Sequence, residues 1–256
     1  MPLGYALTAS QVVQYYAERE DVQRALLAYG VGRRAVVGTD PGVFGRHDLQ
    51  APLTSPAQIA AWAKSALDGQ ISAVPRKYPA FHATITRSAA NADPSLCGTD
   101  LVIEVDVKPN HKDAFRQGRK VLDLLDSYGV PYRVKFSGNS SPHIILPAEL
   151  FPPDIRGHRF GGAARKMLDF IAARSGAAGI DASFASPDHF LRMPYSLNEH
   201  TGLVSVPIPK DQYNDFRLEM AEAHNVVVDD SWMDVSNEPR DGVKAFLAAA
   251  LAFGGR

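Results

Sequence analysis

Apolar residues recur at helical spacing near the start of the chain. Val12, Val13, Tyr16, Val22 and Leu26 fall to one side, which predicts a helix over about 8–28 with Thr8 or Ser10 as its cap. A short apolar run predicts a strand over 35–37. Residues 38–52 are rich in Gly, Pro and Asp and read as a loop, after which Ser55-Pro56 opens a second helix ending near Gly69. A further strand is expected over 81–86.

The clearest strand signal is Leu101-Val-Ile-Glu-Val-Asp-Val107, bounded by Thr99-Asp100 and by Pro109. Leu101, Ile103, Val105 and Val107 share one face, and Val102, Glu104 and Asp106 the other. A helix over about 112–128 ends at Gly129, and strands over 132–137 and 143–146 flank a tight turn. Next come a helix through 165–173, a Pro- and Gly-punctuated strand region over 180–208, a helix near 211–224 and an amphipathic helix over 243–253. Strands and helices alternate without a strict βαβ rhythm. The expected class is therefore α/β or α+β, a sheet with helices packed against it.

Composition narrows the possibilities. With 45% hydrophobic and 21% charged residues in 256, the chain has the balance of a soluble globule and not of a disordered or fibrous one. No apolar run approaches the roughly 18 residues of a membrane span, so no membrane association is expected. The opening residues lack a basic region followed by an apolar one, and a cytoplasmic location is expected. Cys97 is the one cysteine, which excludes an internal disulfide and a cysteine-built zinc site.

The net charge of −1 hides a segregation. Between Pro131 and Lys166, Arg133, Lys135, Arg156, Arg159, Arg165 and Lys166 face only Glu149 and Asp154. Between Asp211 and Asp241 the acids dominate, with only Arg217 and Arg240 against them. A basic surface suited to phosphates and an acidic one turned from them would follow.

Three clusters could carry chemistry. Glu104 and Asp106 place two carboxylates on one strand face about 7 Å apart, a seat for a hard divalent cation, although a solvated acidic edge would look the same. Phe136-Ser-Gly-Asn-Ser-Ser-Pro-His-Ile-Ile-Leu146 is a strand, a small polar turn and a strand. There Ser137, Asn139 and backbone N–H groups could approach an anion and His143 could donate to it, or the segment is simply a hairpin. The third cluster is Asp181 followed by Phe190-Leu-Arg-Met-Pro-Tyr-Ser-Leu-Asn-Glu-His-Thr-Gly-Leu-Val-Ser-Val-Pro-Ile208. Asp181 could add a carboxylate, and Arg192, Ser196, Asn198 and His200 could add phosphate or sugar contacts, while a meander of short strands explains the same punctuation. Arg33, Arg34, Arg46 and His47 either line a template path or are solvated loop charges. Trp232-Met233 and the Phe246, Leu247, Leu251 stripe read as core or subunit contacts.

Taken in order, these segments resemble the successive motifs of the archaeo-eukaryotic primase superfamily. The last looks like the small catalytic subunit of primases, and its Arg-x-Pro-Tyr-Ser core also resembles the polymerase domain of bacterial end-joining ligases. The likeness covers about residues 100–208. It implies an RRM-like catalytic core over 96–210, an N-terminal α/β module over 1–95 and a C-terminal helical part over 211–256, all in one domain with the active site in a cleft between core and module. It implies Glu104, Asp106 and Asp181 as ligands of two Mg²⁺ or Mn²⁺ ions. Ser137, Asn139, His143, Arg192, Ser196, Asn198 and His200 would contact the nucleotide. The implied partners are a single-stranded or primed template and nucleoside triphosphates, with a primase large subunit, a ligase or a helicase as further candidates.

The chain departs from the family pattern at four motif positions, and the ligands of the zinc knob of many primase small subunits are also missing, so no structural zinc is expected. Glu104 stands where the first motif normally has Asp, Ser140 where a basic residue is common, and Asn198 and His200 where His and Lys are usual. The expected activity is template-dependent nucleotidyl transfer with release of pyrophosphate. A weakened, primase-like nucleic-acid-binding or regulatory protein is the alternative, and a phosphoesterase built on the same carboxylates is a third.

Overall fold

The computed structural model describes residues 6–39, 50–67, 77–88, 97–107, 111–157, 159–229, 231–235 and 240–254. Arg46, His47 and most of the 38–52 loop lie outside these residues. The chain is a mixed α/β protein, as the alternation predicts. It divides into two compact units, each assembled from three separate stretches: Met1–Thr84, Lys135–Asn139 and Phe190–Ser231 in the first, and Ile85–Val134, Ser140–His189 and Trp232–Arg256 in the second.

In the first unit, helices α1 (Ala9–Ala17), α2 (Glu20–Gly30) and α3 (Pro56–Leu67) pack together beside a sheet of β1 (Ala35–Gly38), β2 (Ala80–Thr84) and β8 (Phe190–Arg192). Both β1 and β8 run antiparallel to β2, pairing Val36 with His82 and His82 with Arg192. The single helix expected over 8–28 is two. Thr8 and Gln11 form a capping box that starts α1. The break falls at Glu18-Arg19, where the Arg19 guanidinium grips Asp21 and reaches the carbonyls of Ala223 and Val226. The helix expected near 211–224 is instead two 3₁₀ helices, Lys210–Asp215 and Leu218–Ala221. Each of them buries a single residue, Tyr213 and Ala221, too sparse a stripe to hold an amphipathic α-helix.

Tyr16 anchors this unit. Fully buried against Phe81 at a ring distance of 4.9 Å, it donates its hydroxyl to the Pro79 carbonyl and accepts from the Leu197 amide. Arg33 is not a solvated charge. It is buried, bonded to the carbonyls of Tyr29 and Thr84, with its guanidinium 4.4 Å from the centre of the Tyr29 ring.

In the second unit, β5 (Leu101–Glu104) pairs antiparallel with β7 (Pro142–Leu146), which the chain reaches from β6 (Arg133–Phe136) through the turn at Ser137, and helix α4 (His111–Tyr128) packs on β7. Ala114, Gln117, Gly118, Val121, Leu122 and Leu125 form the buried stripe of α4. Helices α6 (Phe160–Ser175) and α7 (Asp241–Leu251) close over it. Tyr128, Phe170 and Phe246 meet edge-to-face at ring distances of 5.9–6.1 Å, so the Phe246 stripe is core, as expected. A two-strand ladder of β3 (Thr86–Arg87) and β4 (Gly98–Thr99) adjoins a buried ion-pair group. In it Arg87 bonds both oxygens of Glu149 and also Asp100, whose carboxylate accepts the Ala148 amide. No helix among the described residues is long and apolar enough to cross a membrane.

Candidate functional site

The expected residues fall into two groups, one in each unit. The acidic group belongs to the second. Past the end of β5, Val105 forms an antiparallel bridge with Ile180, closed by the Asp106 amide to the Gly179 carbonyl (2.8 Å) and the Asp181 amide to the Glu104 carbonyl (3.0 Å). That register sets Asp181 across from Glu104, with Asp106 two residues along on the same face. Gly179 makes the crossing possible. Its φ is +78°, and a Cβ there would lie 2.6 Å from the Asp106 carbonyl oxygen.

Each of these carboxylates has its own surroundings. Glu104 is opposite His143 in the β5–β7 register. Its Oε1 accepts from the Ser141 hydroxyl at 3.1 Å and lies 3.2 Å from the His143 ring nitrogen Nε2. His143 is buried, with Phe184 beside its ring. Asp106 is exposed. Asp181 caps the 3₁₀ turn Ala182–Ala185, accepting the Ser183 amide and hydroxyl at 2.8 Å each. Among the described residues, no three His, Cys, Asp or Glu side chains converge closely enough to hold a metal ion as they stand. The donors on this face are hard carboxylate oxygens, the ligand type that divalent cations such as Mg²⁺ and Mn²⁺ take.

His189, absent from the expected set, belongs beside this group. Its ring packs 3.9 Å from that of Phe184. Burial holds its imidazole below the usual histidine value, against the opposing pull of Asp181 and Glu104. A lone histidine before Phe190 gives no pattern by which to find it. Ser141 could have been found, because it stands two residues before His143 and so shares its strand face.

The second group lies in the first unit, around the turn at Ser137 and the loop that follows β8. Arg192 is buried, donating from Nη1 to the Ser137 carbonyl at 2.7 Å and from Nη2 to Glu199. Ser137 is buried and its hydroxyl accepts the amide of the exposed Asn139. Gly138, at φ +85°, lies so close to this loop that a Cβ would meet that of Asn198 at 2.8 Å.

Ser196 and Asn198 brace the chain. The Ser196 hydroxyl accepts the Phe81 amide at 2.7 Å, and the Asn198 side-chain oxygen accepts the amides of His200 and Thr201. His200 is about half exposed, 3.7 Å from Glu199. Two residues outside the expected set stand out here. Glu199 is the buried partner of Arg192, and Lys135 is fully buried with its ammonium on the Ser205 hydroxyl. A lysine within a strand reads as outward-facing, and a glutamate at a loop tip as solvated, so neither is visible as a pattern.

Tyr195 carries the strained backbone of the site. Its φ of +63° is the one positive value among the described non-glycine residues. The conformation is held on all sides. The Tyr195 amide donates to Ser205, its carbonyl accepts the Tyr15 hydroxyl, and its own hydroxyl donates to the Asp229 carbonyl and accepts the Asp229 amide.

With this geometry in hand, the chain can be set against known proteins. It shares the fold of the polymerase domain of Mycobacterium tuberculosis Ligase D, solved in complex with DNA. The TM-score is 0.55 at 19% identity, covering 82% of this chain and 84% of that one. The fold relationship implied by the Arg-x-Pro-Tyr-Ser segment is therefore present in the tertiary structure. In sequence the chain is 30% identical over 134 residues to the uncharacterized protein MJECS07 of Methanocaldococcus jannaschii. That stretch is 46% of this chain and 30% of the relative, so the chain spans under a third of the relative's length. No protein-family model matches.

Proposed function

We propose that the chain is a template-dependent nucleotidyltransferase of the primase-polymerase type. The observation that carries this reading is the Val105–Ile180 bridge, which aligns Glu104, Asp106 and Asp181 on one face of a chain with a polymerase-domain fold. In this reading the three carboxylates would hold Mg²⁺ or Mn²⁺, which when bound would help activate a primer hydroxyl and offset charge on the triphosphate. His143 and Ser141 orient Glu104, so that the longer side chain at the first motif position is fixed by two partners. Arg192, with Ser137, Asn139 and His200, receives the triphosphate. Ser196 and Asn198 act through the loop they brace and not by contact.

The test is incorporation of labelled nucleotides on primed and unprimed single-stranded templates, with Mg²⁺ and Mn²⁺ in parallel and Asp106→Ala as control. Asp106 is exposed, so its variant should fold as the parent does. Metal-dependent product that disappears in the variant is the expected result. Full activity in the variant, or no product with either metal, would overturn the reading.

A second reading has its own support. Glu104, Asp181 and Arg192 are each engaged by partners within the chain, as in a protein that binds template without turning over nucleotide. It predicts salt-dependent template binding and no metal-dependent product.

A further inference from the structure

Arg192 ends β8 with its side chain about nine-tenths buried. Nη1 is used by the Ser137 carbonyl and Nη2 by Glu199, while the buried Nε reaches no acceptor among the described residues. A guanidinium is a fork of five donors that fits phosphate oxygens as well as a carboxylate, and a buried N–H without a partner carries a desolvation cost. Glu199 thus satisfies the charge of Arg192 without filling its donor set.

The manner in which Glu199 is held separates backbone from side chain. Its carbonyl accepts the Tyr78 amide at 2.9 Å, and its neighbours are fixed by Asn198 and by the Thr201 hydroxyl on the Gly138 carbonyl. The loop is therefore pinned whatever the carboxylate does. One carboxylate oxygen bonds Arg192, and the other lies 3.7 Å from His200, whose ring is half in solvent. Rotation of the Glu199 side chain alone would free the guanidinium and leave the loop as it is.

We infer that Glu199 is an internal stand-in for phosphate: it neutralises Arg192 in the unliganded chain and yields it to a polyphosphate ligand, which also reaches Nε. The inference rests on the reading that Arg192 receives the triphosphate. It adds that a competing carboxylate sets which anions can bind. Orthophosphate, with about the charge of the group it must displace, is refused, and a tri-anionic or more highly charged chain is accepted.

The experiment is calorimetric titration of the full chain with inorganic tripolyphosphate and with orthophosphate, without metal or template, for the parent and for Glu199→Gln. The glutamine oxygen can still accept from Arg192, which keeps the hydrogen bond though not the counter-charge, and folding is checked by circular dichroism. The variant should bind tripolyphosphate about tenfold more tightly and gain measurable orthophosphate binding. Equal or weaker binding by a folded variant overturns the inference.

Should the variant fail to fold, the Arg192 Nε–H resonance of the parent decides. It should move on tripolyphosphate addition, and an unmoved signal at saturating ligand overturns the inference as well. Because this titration needs neither the carboxylate face nor a template, a chain without polymerase activity can still pass it, and an active polymerase can still fail it.

Discussion

The Asp181 amide donates to the Glu104 carbonyl at 3.0 Å, tying together the backbones of two acidic residues that α4, β7 and α6, among other elements, separate along the chain. The tie is a single bridge between Val105 and Ile180. The acidic face therefore depends on a short piece of backbone whose shape is set by Gly179.

Gly179→Ala tests that dependence. A side chain at a φ of +78° costs about 1–2 kcal/mol for the left-handed backbone alone, and the Cβ would also press on the Asp106 carbonyl. The expected outcome in urea denaturation is a loss of at least that size. Loss of nucleotide incorporation should accompany it, since Asp106 and Asp181 would be pushed apart. A variant as stable as the parent would show that the crossing is not a constraint.

Removing one member of the Arg192–Glu199 pair should be severe. Arg192→Ala leaves a buried carboxylate uncompensated, which costs on the order of 3–5 kcal/mol. Combining it with Glu199→Leu should restore much of the loss, because the double variant buries no lone charge. A double-mutant cycle measured by chemical denaturation reads both numbers, and a loss below about 1 kcal/mol for the single variant would contradict this account.

Tyr195→Phe removes one hydroxyl that serves as both donor and acceptor to Asp229. Losing these bonds to the exposed Asp229 should cost about 0.5–1.5 kcal/mol each, while the ring still fills its buried position. The thermal midpoint should fall by several degrees on that basis. An unchanged midpoint would mean that water replaces the hydroxyl.

Stability should fall in mild acid through His189. Burial lowers its folded value below that of the unfolded chain, so the unfolded state takes up the proton first as pH falls. The loss therefore begins as pH drops through the ordinary histidine range and is complete below the depressed folded value. Above that range His189 contributes no pH dependence. Denaturation of the parent and of His189→Gln across this window, with a chelator present, should show the parent losing stability more steeply than the variant as pH falls. Parallel curves would remove His189 as the cause.

Much of the fold was legible because burial acts on periodic patterns within one element. The strand at Leu101, the helix over 112–128, the pair of strands about the Ser137 turn and the closing amphipathic helix all stand close to where alternation and helical spacing put them. The failures have other causes. The pattern over 8–28 is continuous, yet the helix breaks at Glu18-Arg19, where Arg19 bonds to the carbonyls of Ala223 and Val226, which no local window contains. The acidic segment over 211–224 has helical composition but little to bury, and tightens into 3₁₀ turns.

By itself the sequence determined the class of fold, the face on which Glu104 and Asp106 sit, and the small polar turn before His143. These follow from side-chain alternation, a property of neighbouring residues. Tertiary structure alone decided that Asp181 joins that face, that Arg33 is buried and that Arg192 is held by Glu199. It also decided that Ser196 and Asn198 brace backbone, and that Tyr195 adopts a left-handed conformation. Each of those depends on which buried donor meets which acceptor, and the pairing is fixed only when distant segments are packed together and every buried polar group must find a partner.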